Sequence, residues 1–414
     1  MNATFPEKAV LHRAEWIVPV LSPPAPDGAV LTRNGRVVAA GAFSGIRRDI
    51  PSGTKILDHG SAAIMPALVN AHTHLDLSAL KGAMTFPRTG FPDWIGAFFP
   101  LRAGLGQDAM REGFFNGWRE IFETGTALCG DVTNGAAVNL AGPDGLPERH
   151  TFLELLGFNC ESVAAAAPPE IDLSHNGAGF SAVPHSPYSV SPRVIAEAKD
   201  RARALGRPFS IHTAEHPEEL EFLKSGTGFC RELLEKLGRW EQKWRPPGKS
   251  PVRYLDSLGA LDRLTLLVHA VHMDDADREI VAARKCAVCF CPRSNRNLGV
   301  GRPEIEKALS LGIPACLGTD SLASNTDLNL FAEAGFVLDE YPGIRPDTIL
   351  EMLTASPARA LGREADFGCI GPGLGAALIA VTLYSGLKGP DLAEALIQSG
   401  RQGAWKWVNP PATS

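Results

Sequence analysis

The central part of the chain alternates apolar, strand-like runs with amphipathic helical patterns. Eight such runs follow one another: AIMPALVNAH, TALCGDV, TFLELLGF, GFSAVPH, PFSIH, RLTLLVHA, CAVCFCP and PACLGTD. Parallel strands that are buried on both faces are rich in apolar residues throughout, and helices connect them. Eight such units predict an α/β chain whose main domain, residues 63–365, is a (β/α)8 barrel.

The two ends of the chain have a different texture, with short strand-like runs separated by turn signals. Near the N-terminus these runs are AEWIVPV, GAVLTRNGRVVAAG and TKILDHG, and near the C-terminus the run is GCIGPGLGAALIAVTLYS. The Asn34-Gly35 pair inside the second run is typical of a hairpin turn. Because such strands need a sheet to join, we expect residues 1–62 and 366–414 to pair into one small β domain.

Composition excludes several classes of protein. The 414 residues are 44% hydrophobic and 21% charged, which is ordinary for a chain with a large core. A net charge of −6 argues against a nucleic-acid polymer as partner, because the phosphates would be repelled. We find no signal pattern or membrane-length apolar run, and the eight cysteines form no dense framework. We therefore expect a cytoplasmic protein without membrane association.

Histidines mark the ends of the predicted strands, which is where the chemistry of a parallel barrel is found. His72 and His74 are two residues apart on one strand, so their imidazoles face the same point. Only 11 histidines occur in the chain, so five of them at four strand ends are hard to attribute to chance. The complete set of polar strand-end residues is His72, His74, His185, His212, His269 and Asp320.

Three imidazoles and a carboxylate suit one divalent metal ion, Zn²⁺ in preference to Fe²⁺, with room for a water molecule. We assign His72, His74, His212 and Asp320 to that ion, which would activate the water as a nucleophile. Glu215 follows His212 by three residues, and this spacing can return a carboxylate to the same site for proton transfer. The alternative interpretation is a solvated glutamate at a helix start, where acids are favoured.

The motifs around these residues resemble those of the amidohydrolase superfamily, and within it the mononuclear deaminase branch. They are NAHTHLDLSAL, PHSPYSVSP, IHTAEHPEE, LVHAVHM, CPRSNRNLG and LGTDSLASN, in the family's order. The resemblance implies a distorted (β/α)8 barrel with a small β-sandwich built from both termini. Members with two metals carry a modified lysine at the end of the fourth strand, where this chain has His185, so it implies a single metal.

The resemblance also implies a role for each site residue. Glu215 would move a proton from the activated water to a ring nitrogen, and Asp320 would take the second proton as ammonia leaves. His269 would orient the attacking hydroxide. His185 would contact the substrate, and so would Trp94, which lies in the segment FPRTGFPDWIGAFFPLR after the first strand.

The stretches HLDLSAL, FLELLGF, CPRSN and SLASNTDLNLFAE are most similar to the aminodeoxyfutalosine deaminases of menaquinone synthesis. We therefore expect hydrolytic deamination of 6-aminodeoxyfutalosine, an adenine nucleoside that carries a benzoate. A cation should face that carboxylate. Arg293, at the end of the seventh strand, is our first candidate, with Arg88, Arg102 and Arg296 as others.

Three alternative functions remain open at the level of sequence. The first is deamination of methylthioadenosine or S-adenosylhomocysteine, whose enzymes are nearly as similar. The second is a chlorohydrolase or another amidohydrolase reaction on the same scaffold. The third is a non-catalytic scaffold protein, although such relatives usually lose metal ligands and none is missing here. The sequence also leaves open whether the protein forms a homodimer.

Overall fold

The structure is a computed structural model that describes residues 9–140, 142, 147–171, 173, 179–384 and 387–409. Residues 1–8 and 410–414, which the sequence assigns to the small β domain, lie outside this part of the chain. The strands of the described residues are β1 (Val10–Ile17), β2 (Ala25–Arg33), β3 (Arg36–Ala42), β4 (Lys55–Asp58), β5 (Ala62–Pro66), β6 (Leu68–His74), β7 (Thr126–Thr133), β8 (Glu148–Leu155), β9 (Phe180–Pro184), β10 (Phe209–Thr213), β11 (Thr265–His269), β12 (Ala287–Phe290), β13 (Ala315–Leu317), β14 (Asp320–Ser321), β15 (Leu378–Thr382) and β16 (Trp405–Asn409).

The α-helices lie mainly between the strands of the central part of the chain. They are α1 (Phe43–Ile46), α2 (Phe91–Ala103), α3 (Gln107–Glu123), α4 (Val163–Ala166), α5 (Pro192–Leu205), α6 (Pro217–Ser225), α7 (Phe229–Lys236), α8 (Pro251–Ser257), α9 (Asp275–Arg284), α10 (Pro292–Leu298), α11 (Ile305–Ser310), α12 (Leu330–Glu340), α13 (Pro346–Met352), α14 (Ala355–Ala360) and α15 (Leu392–Arg401). None of the helices in the described residues combines the length and the apolar character needed to cross a membrane.

Strands from both ends of the chain share one seven-stranded sheet with the order β16-β15-β5-β1-β2-β3, in which β4 also pairs with β1. The Asn34-Gly35 turn joins β2 to β3, and both residues have positive φ angles of 53° and 69°, as a tight hairpin turn requires. Strand β15 pairs antiparallel with β5. Since β5 spans Ala62–Pro66, this sheet extends a few residues past the boundary predicted at residue 62.

The remaining strands form two sheets in which every pair is parallel. One has the order β14-β6-β7-β8-β9 and the other the order β10-β11-β12-β13. The chain is therefore a mixed α/β protein with parallel sheets. Two of the eight predicted runs are divided. AIMPALVNAH supplies β5 of the mixed sheet and most of β6, and PACLGTD is interrupted between β13 and β14 at Gly318. A Cβ atom at Gly318 would lie 2.8 Å from the carbonyl oxygen of His72, so only glycine fits there.

Helix α5 shows how the local sequence specifies its connecting element. The Ser191 hydroxyl accepts a hydrogen bond from the backbone N–H of Val194, and Pro192 occupies the first helical position. Val194, Ile195, Ala198 and Ala202 form the buried face, at helical spacing. Gly206 then ends the helix in the left-handed conformation with a φ of 63°. The predicted helix RVIAEAKDRARALG is thus present.

His150 on β8 generates a prediction about stability. Its Nε2 atom lies 3.0 Å from the Ser181 hydroxyl inside the core. Burial, together with the nearby Arg363 and Arg207 cations, lowers the pKa of His150 to about 3. Between pH 6.5 and that value the unfolded chain binds a proton that the folded chain excludes. The free energy of unfolding should therefore fall as the pH falls, by up to about 1.4 kcal/mol per pH unit from this residue.

Denaturant titrations of wild type and His150→Gln between pH 7.5 and 4 test this expectation. The variant should show a constant offset above pH 6.5 and a shallower decline below it, since the titrating group is gone. Parallel curves over the whole range would contradict the proposed protonation.

Candidate active site

Five of the six polar side chains predicted at strand ends converge on one point. His72 and His74 come from β6, His212 from β10, His269 from β11 and Asp320 from β14. The Oδ1 atom of Asp320 lies 3.6 Å from His72 Nε2 and 3.7 Å from His74 Nε2. The ring centroids of His72 and His212 are 4.8 Å apart. Donor atoms of His72, His74 and Asp320 all lie within 4.8 Å of one another, and so do those of His72, His212 and His269.

The backbone at three of these strand ends adopts the left-handed region. The φ angles are 51° at Ala214, 70° at His269, 51° at Ala270 and 57° at Asp320. Residues other than glycine pay about 1–3 kcal/mol for such a conformation, and it persists only where the surrounding structure imposes it. The turn of the backbone redirects each strand end at the position where its polar side chain meets the others.

The donor set fits one divalent cation. Both ring nitrogens of His72 are buried and have no hydrogen-bond partner among the described residues. His212 Nδ1 lies 3.0 Å from the carbonyl oxygen of His185, which leaves its Nε2 free. Burial and the surrounding imidazoles lower the pKa of His212 well below its usual range, so its ring is neutral. Neutral imidazoles with free lone pairs are the form in which histidine binds zinc or iron.

Asp320 is arranged so that one carboxylate oxygen faces this histidine cluster. Its Oδ2 atom accepts hydrogen bonds from the hydroxyls of Ser294 and Ser324, each at 2.6 Å. Burial disfavours the charged form, but the neighbouring His72, His269 and His74 hold the pKa of Asp320 well below its usual range. Its Oδ1 is thus an anionic oxygen directed at the imidazoles, as a metal ligand requires.

Glu215 lies next to this cluster, and its side chain is buried. Its Oε1 atom is 3.6 Å from His269 Nε2, and its backbone N–H donates to Glu219 Oε2 at 3.1 Å. Burial and the nearby carboxylates of Asp320 and Glu219 raise the pKa of Glu215 well above its usual range. A carboxyl group with a raised pKa beside an ionised one can deliver and recover protons near neutral pH.

His269 faces Glu215 on one side and Asn295 on the other. Asn295 Nδ2 lies 3.1 Å from His269 Nδ1, so the ring orientation is fixed. Burial and the cluster around it lower the pKa of His269 to about 3. His269 also belongs to one of the three groups of side chains in the described residues that could hold an ion, in addition to the catalytic role predicted for it.

A cavity of about 350 Å³ opens above the cluster. Its floor is formed by His74, His212, Glu215, His269 and Asp320. Much of the rest of its lining is apolar and comes from α2, from α7 with the residue after it, and from the end of α10. The apolar residues are Phe91, Trp94, Ile95, Phe98, Phe99, Leu233, Leu234, Leu237 and Leu298.

The segment GRWEQKWRPPGKSP, which the sequence assigns to a loop or lid, contains no helix or strand before α8 begins at its last residue, Pro251. Two of its aromatic residues nevertheless pack firmly. Trp244 stacks on Phe222 with ring centroids 4.8 Å apart, and Trp240 stacks on Phe158 at 5.8 Å. The segment is therefore anchored on an apolar cluster, and its Arg239 lines the cavity.

Two of the three predicted substrate-contacting residues line the cavity. Trp94 does so while its indole N–H donates to the carbonyl oxygen of Ala323 at 2.8 Å. His185 does so while its Nδ1 atom lies 2.7 Å from the Ser189 hydroxyl. These contacts fix the orientation of each ring toward the cavity.

Arg293 is not brought to the cavity. Its guanidinium binds the carboxylate of Asp327 through two contacts of 2.8 Å and 2.6 Å, because α10 directs the side chain toward the segment before α12. Arg88 is paired with Asp93 at 2.9 Å, and Arg296 lies over the Phe336 ring. Of the four arginines nominated from sequence, Arg102 alone lines the cavity, and Arg239 lies there as well.

Sequence reasoning missed three charged residues of the cavity wall, Asp76, Glu154 and Arg239. Glu154 interrupts the apolar run TFLELLGF near the end of β8, and an acid at that place in a buried strand was the available signal. Burial, with the nearby Asp76 charge, raises the pKa of Glu154 to about 7, against the opposing effect of His74. Asp76 and Arg239 carry no comparable signal.

Comparison with known proteins gives one family. The sequence profile of the Amidohydrolase family matches residues 63–406. The chain is 32% identical over 362 residues to the aminodeoxyfutalosine deaminase of Deinococcus radiodurans, with 82% of each chain covered. It is 31% identical over 376 residues to a 5-methylthioadenosine/S-adenosylhomocysteine deaminase of Nitratidesulfovibrio vulgaris, which covers 86% of this chain and 79% of the relative.

A solved structure with a similar fold is that of an adenosine deaminase from Xanthomonas campestris with bound zinc. It has a TM-score of 0.76 and 23% sequence identity, and the alignment covers 94% of this chain and 90% of that one. The similarity therefore extends over both the parallel sheets and the mixed sheet.

The donor set predicts a measurable metal stoichiometry. Protein loaded with Zn²⁺ should retain about one equivalent per chain after dialysis, and His74→Ala or His212→Ala should retain much less, since each removes a ligand of a four-donor site. Elemental analysis measures this. His272→Gln is the matched control, because His272 Nε2 contacts the Val300 carbonyl oxygen and lies outside the candidate ligand groups. Equal retention by all four proteins would contradict the assignment.

Proposed function

Since the chain belongs to the amidohydrolase family and is a hydrolase that acts on C–N bonds, we propose that it deaminates an adenine nucleoside, namely 6-aminodeoxyfutalosine. The observation that carries this proposal is the combination of the His/His/His/Asp donor set with the buried carboxyl group of Glu215 beside it. Hydrolysis of an aromatic C–NH₂ bond needs an activated water and protonation of the ring, and this arrangement offers a group for each requirement.

The fold that we propose for this activity is a distorted (β/α)8 barrel with a small β-sandwich. Two contacts and the order of the strands support it. Strand β14 pairs with β6 and follows β13 directly, so the two parallel sheets are continuous at that end. At the other end, the backbone N–H of His212 donates to the carbonyl oxygen of His185 at 2.9 Å, just beyond β9. The mixed sheet would form the sandwich domain.

We propose that His72, His74, His212 and Asp320 hold one divalent ion, with zinc preferred because of the imidazole-rich donor set and the zinc in the Xanthomonas campestris structure. The ion, when bound, supplies Lewis-acid activation of water. Ser294 and Ser324 hold the second oxygen of Asp320, which fixes the direction of the first.

The side chains around the ion divide the proton transfers. Glu215 takes a proton from the attacking water and passes it to the ring nitrogen beside the amino group. Its raised pKa suits this exchange, because a carboxylate with a raised pKa is a stronger base toward the water than an ordinary carboxylate. His269, held by Asn295, orients the water. Asp320 takes the second proton from the added hydroxyl group and passes it to the amino group, which leaves as ammonia.

The apolar part of the cavity lining supports the choice of substrate. Its aromatic and leucine side chains would bury an apolar 5′ substituent, and Arg102 and Arg239 supply positive charge beside them. Neither arginine forms an ion pair within 4.0 Å in the part of the chain that the structure describes. A benzoate meets both features, since its ring is apolar and its carboxylate accepts from a guanidinium. A methylthio group uses only the first feature.

Glu215→Gln tests the proton-transfer role. The amide has the shape of the carboxyl group but cannot exchange the proton, so kcat should fall by about 10²- to 10⁴-fold while the metal content is retained. Ammonia release measures the first quantity and elemental analysis the second. Glu232→Gln on the exposed surface of α7 is the control and should behave as wild type. Turnover near the wild-type level in Glu215→Gln would refute the shuttle.

A screen of ammonia release over aminodeoxyfutalosine, methylthioadenosine, S-adenosylhomocysteine and adenosine tests the substrate. We expect the highest kcat/KM with aminodeoxyfutalosine. Arg102→Met and Arg239→Met should lower that value by about ten- to a hundredfold and change methylthioadenosine much less, since only one substrate loses a charged contact. Arg293→Met is the matched control, because its partner is Asp327; it should leave the ratio of the two substrates unchanged. Equal losses on both substrates in the Arg102 and Arg239 variants would contradict the carboxylate contact.

A further inference from the structure

We propose that Asp76 and Glu154 form a hydroxyl-binding wall in the cavity, which takes the vicinal ribose hydroxyls of the nucleoside as hydrogen-bond donors. This inference rests on the proposed function, because it concerns the middle part of the same substrate. It assigns a specificity role to two residues that take no part in the proton transfers described above.

Glu154 presents one oxygen without a partner. Its side chain lies on β8 and is 6% exposed. Its Oε2 atom accepts from Asn134 Nδ2 at 3.1 Å, whereas its Oε1 atom is buried and has no hydrogen-bond partner in the described residues. The nearest imidazole nitrogens, His185 Nε2 and His212 Nδ1, are each 3.9 Å away, which is too far for a hydrogen bond. A buried acceptor of this kind is costly unless a ligand pairs with it.

Asp76, like Glu154, has one carboxylate oxygen with a hydrogen-bond partner and one without. Its side chain is 4% exposed, its Oδ2 accepts from the Thr133 hydroxyl at 3.0 Å, and its Oδ1 is buried without a partner among the described residues. Thr133 and Asn134 are consecutive, so one short segment at the end of β7 holds both carboxylates. Both residues line the same cavity, and each has one oxygen without a partner among the described residues.

A second metal ion is a poorer occupant of this wall than a hydroxyl pair. Glu154, His185 and His212 are close enough to be considered as ligands. However, His212 Nδ1 already faces the carbonyl oxygen of His185 at 3.0 Å, so it lacks a free lone pair. That leaves too few donors for a stable site at Glu154. No lysine or arginine lies within 4.0 Å of either carboxylate in the described chain, so the acids are not held by cations.

The hydroxyl-binding wall lies where the ribose of a bound nucleoside would be expected. Asp76 follows the metal-side residue His74 by two positions, and its charge is also influenced by Arg102 of the cavity lining. A base placed at Glu215 and Asp320, with its 5′ substituent near Arg102, would have its sugar between them. The sugar carries two adjacent O–H donors, and Asp76 and Glu154, which line the same cavity, each have one acceptor oxygen without a partner among the described residues. His185 Nε2, near Glu154 Oε1, could donate to the same hydroxyl that Glu154 accepts from.

Deoxynucleosides test this wall with metal-loaded protein. The probes are adenosine, 2′-deoxyadenosine and 3′-deoxyadenosine, and the measurement is kcat/KM for ammonia release. In wild type, removal of a bound hydroxyl should lower kcat/KM by about ten- to a hundredfold. In Glu154→Gln and Asp76→Asn the ratio between adenosine and the corresponding deoxynucleoside should shrink towards one, because the partner of that hydroxyl has changed. Glu161→Gln, in an exposed pair with Arg193, is the control and should keep the wild-type ratio.

The outcomes separate this inference from the proposed function. If wild type releases ammonia from adenosine but accepts both deoxynucleosides equally well, the hydroxyl wall is refuted and the deaminase proposal stands. If loaded wild type releases no ammonia from any adenine nucleoside, both fall together. Variants that lose the same factor on all three probes would show that the acids act only through the architecture of the site. Glu154→Asp keeps the negative charge but has a shorter side chain, so its carboxylate oxygens lie farther from the ribose. This variant should also lose the preference for adenosine over the deoxynucleoside, and it provides the test if Glu154→Gln is unstable.

Discussion

The site depends on the burial of one ionised carboxylate among neutral imidazoles. Asp320 is 6% exposed and its close neighbours are His72, His74 and His269, with Ser294 and Ser324 on its far oxygen. A buried anion with no lysine or arginine beside it is expensive unless a cation shares the space. The strands place the neutral imidazoles next to the carboxylate, and the two serines hold its far oxygen. A divalent ion bound between the imidazoles and the near oxygen would supply the positive charge that this buried carboxylate needs.

Reading strand ends predicted much of this cluster because parallel strands deliver their last residues to the same edge. That is why His72, His74, His212 and Asp320 could be grouped although almost 250 positions separate the first from the last. The same logic failed for Arg293. A side chain on the first turn of a helix can face the cavity or the next helix, and packing against α12 with the available Asp327 decides between them. Periodicity contains no information on that choice.

The acids Asp76 and Glu154 and the left-handed strand ends were beyond sequence reasoning for a different reason. A single acid in an apolar run forms no periodic pattern from which a role could be predicted. That one oxygen of each carboxylate lacks a partner follows only from the structure, in which Thr133 donates to one oxygen of Asp76 and Asn134 donates to one oxygen of Glu154. Likewise, the division of PACLGTD into β13 and β14 depends on how closely Gly318 approaches the backbone of His72. Both features are set by contacts between distant parts of the chain.

The left-handed strand ends restrict how such a site can change during evolution or redesign. At φ angles of 70° and 57°, the positions of His269 and Asp320 exclude β-branched and bulky residues, while histidine, aspartate, asparagine and glycine tolerate the conformation. The residue types that the backbone accepts overlap with those that the chemistry needs. A library that varied these two positions freely would therefore include many residues that the backbone disfavours, whereas variation in α2 and α7 would change the apolar lining of the cavity and leave the histidine cluster intact.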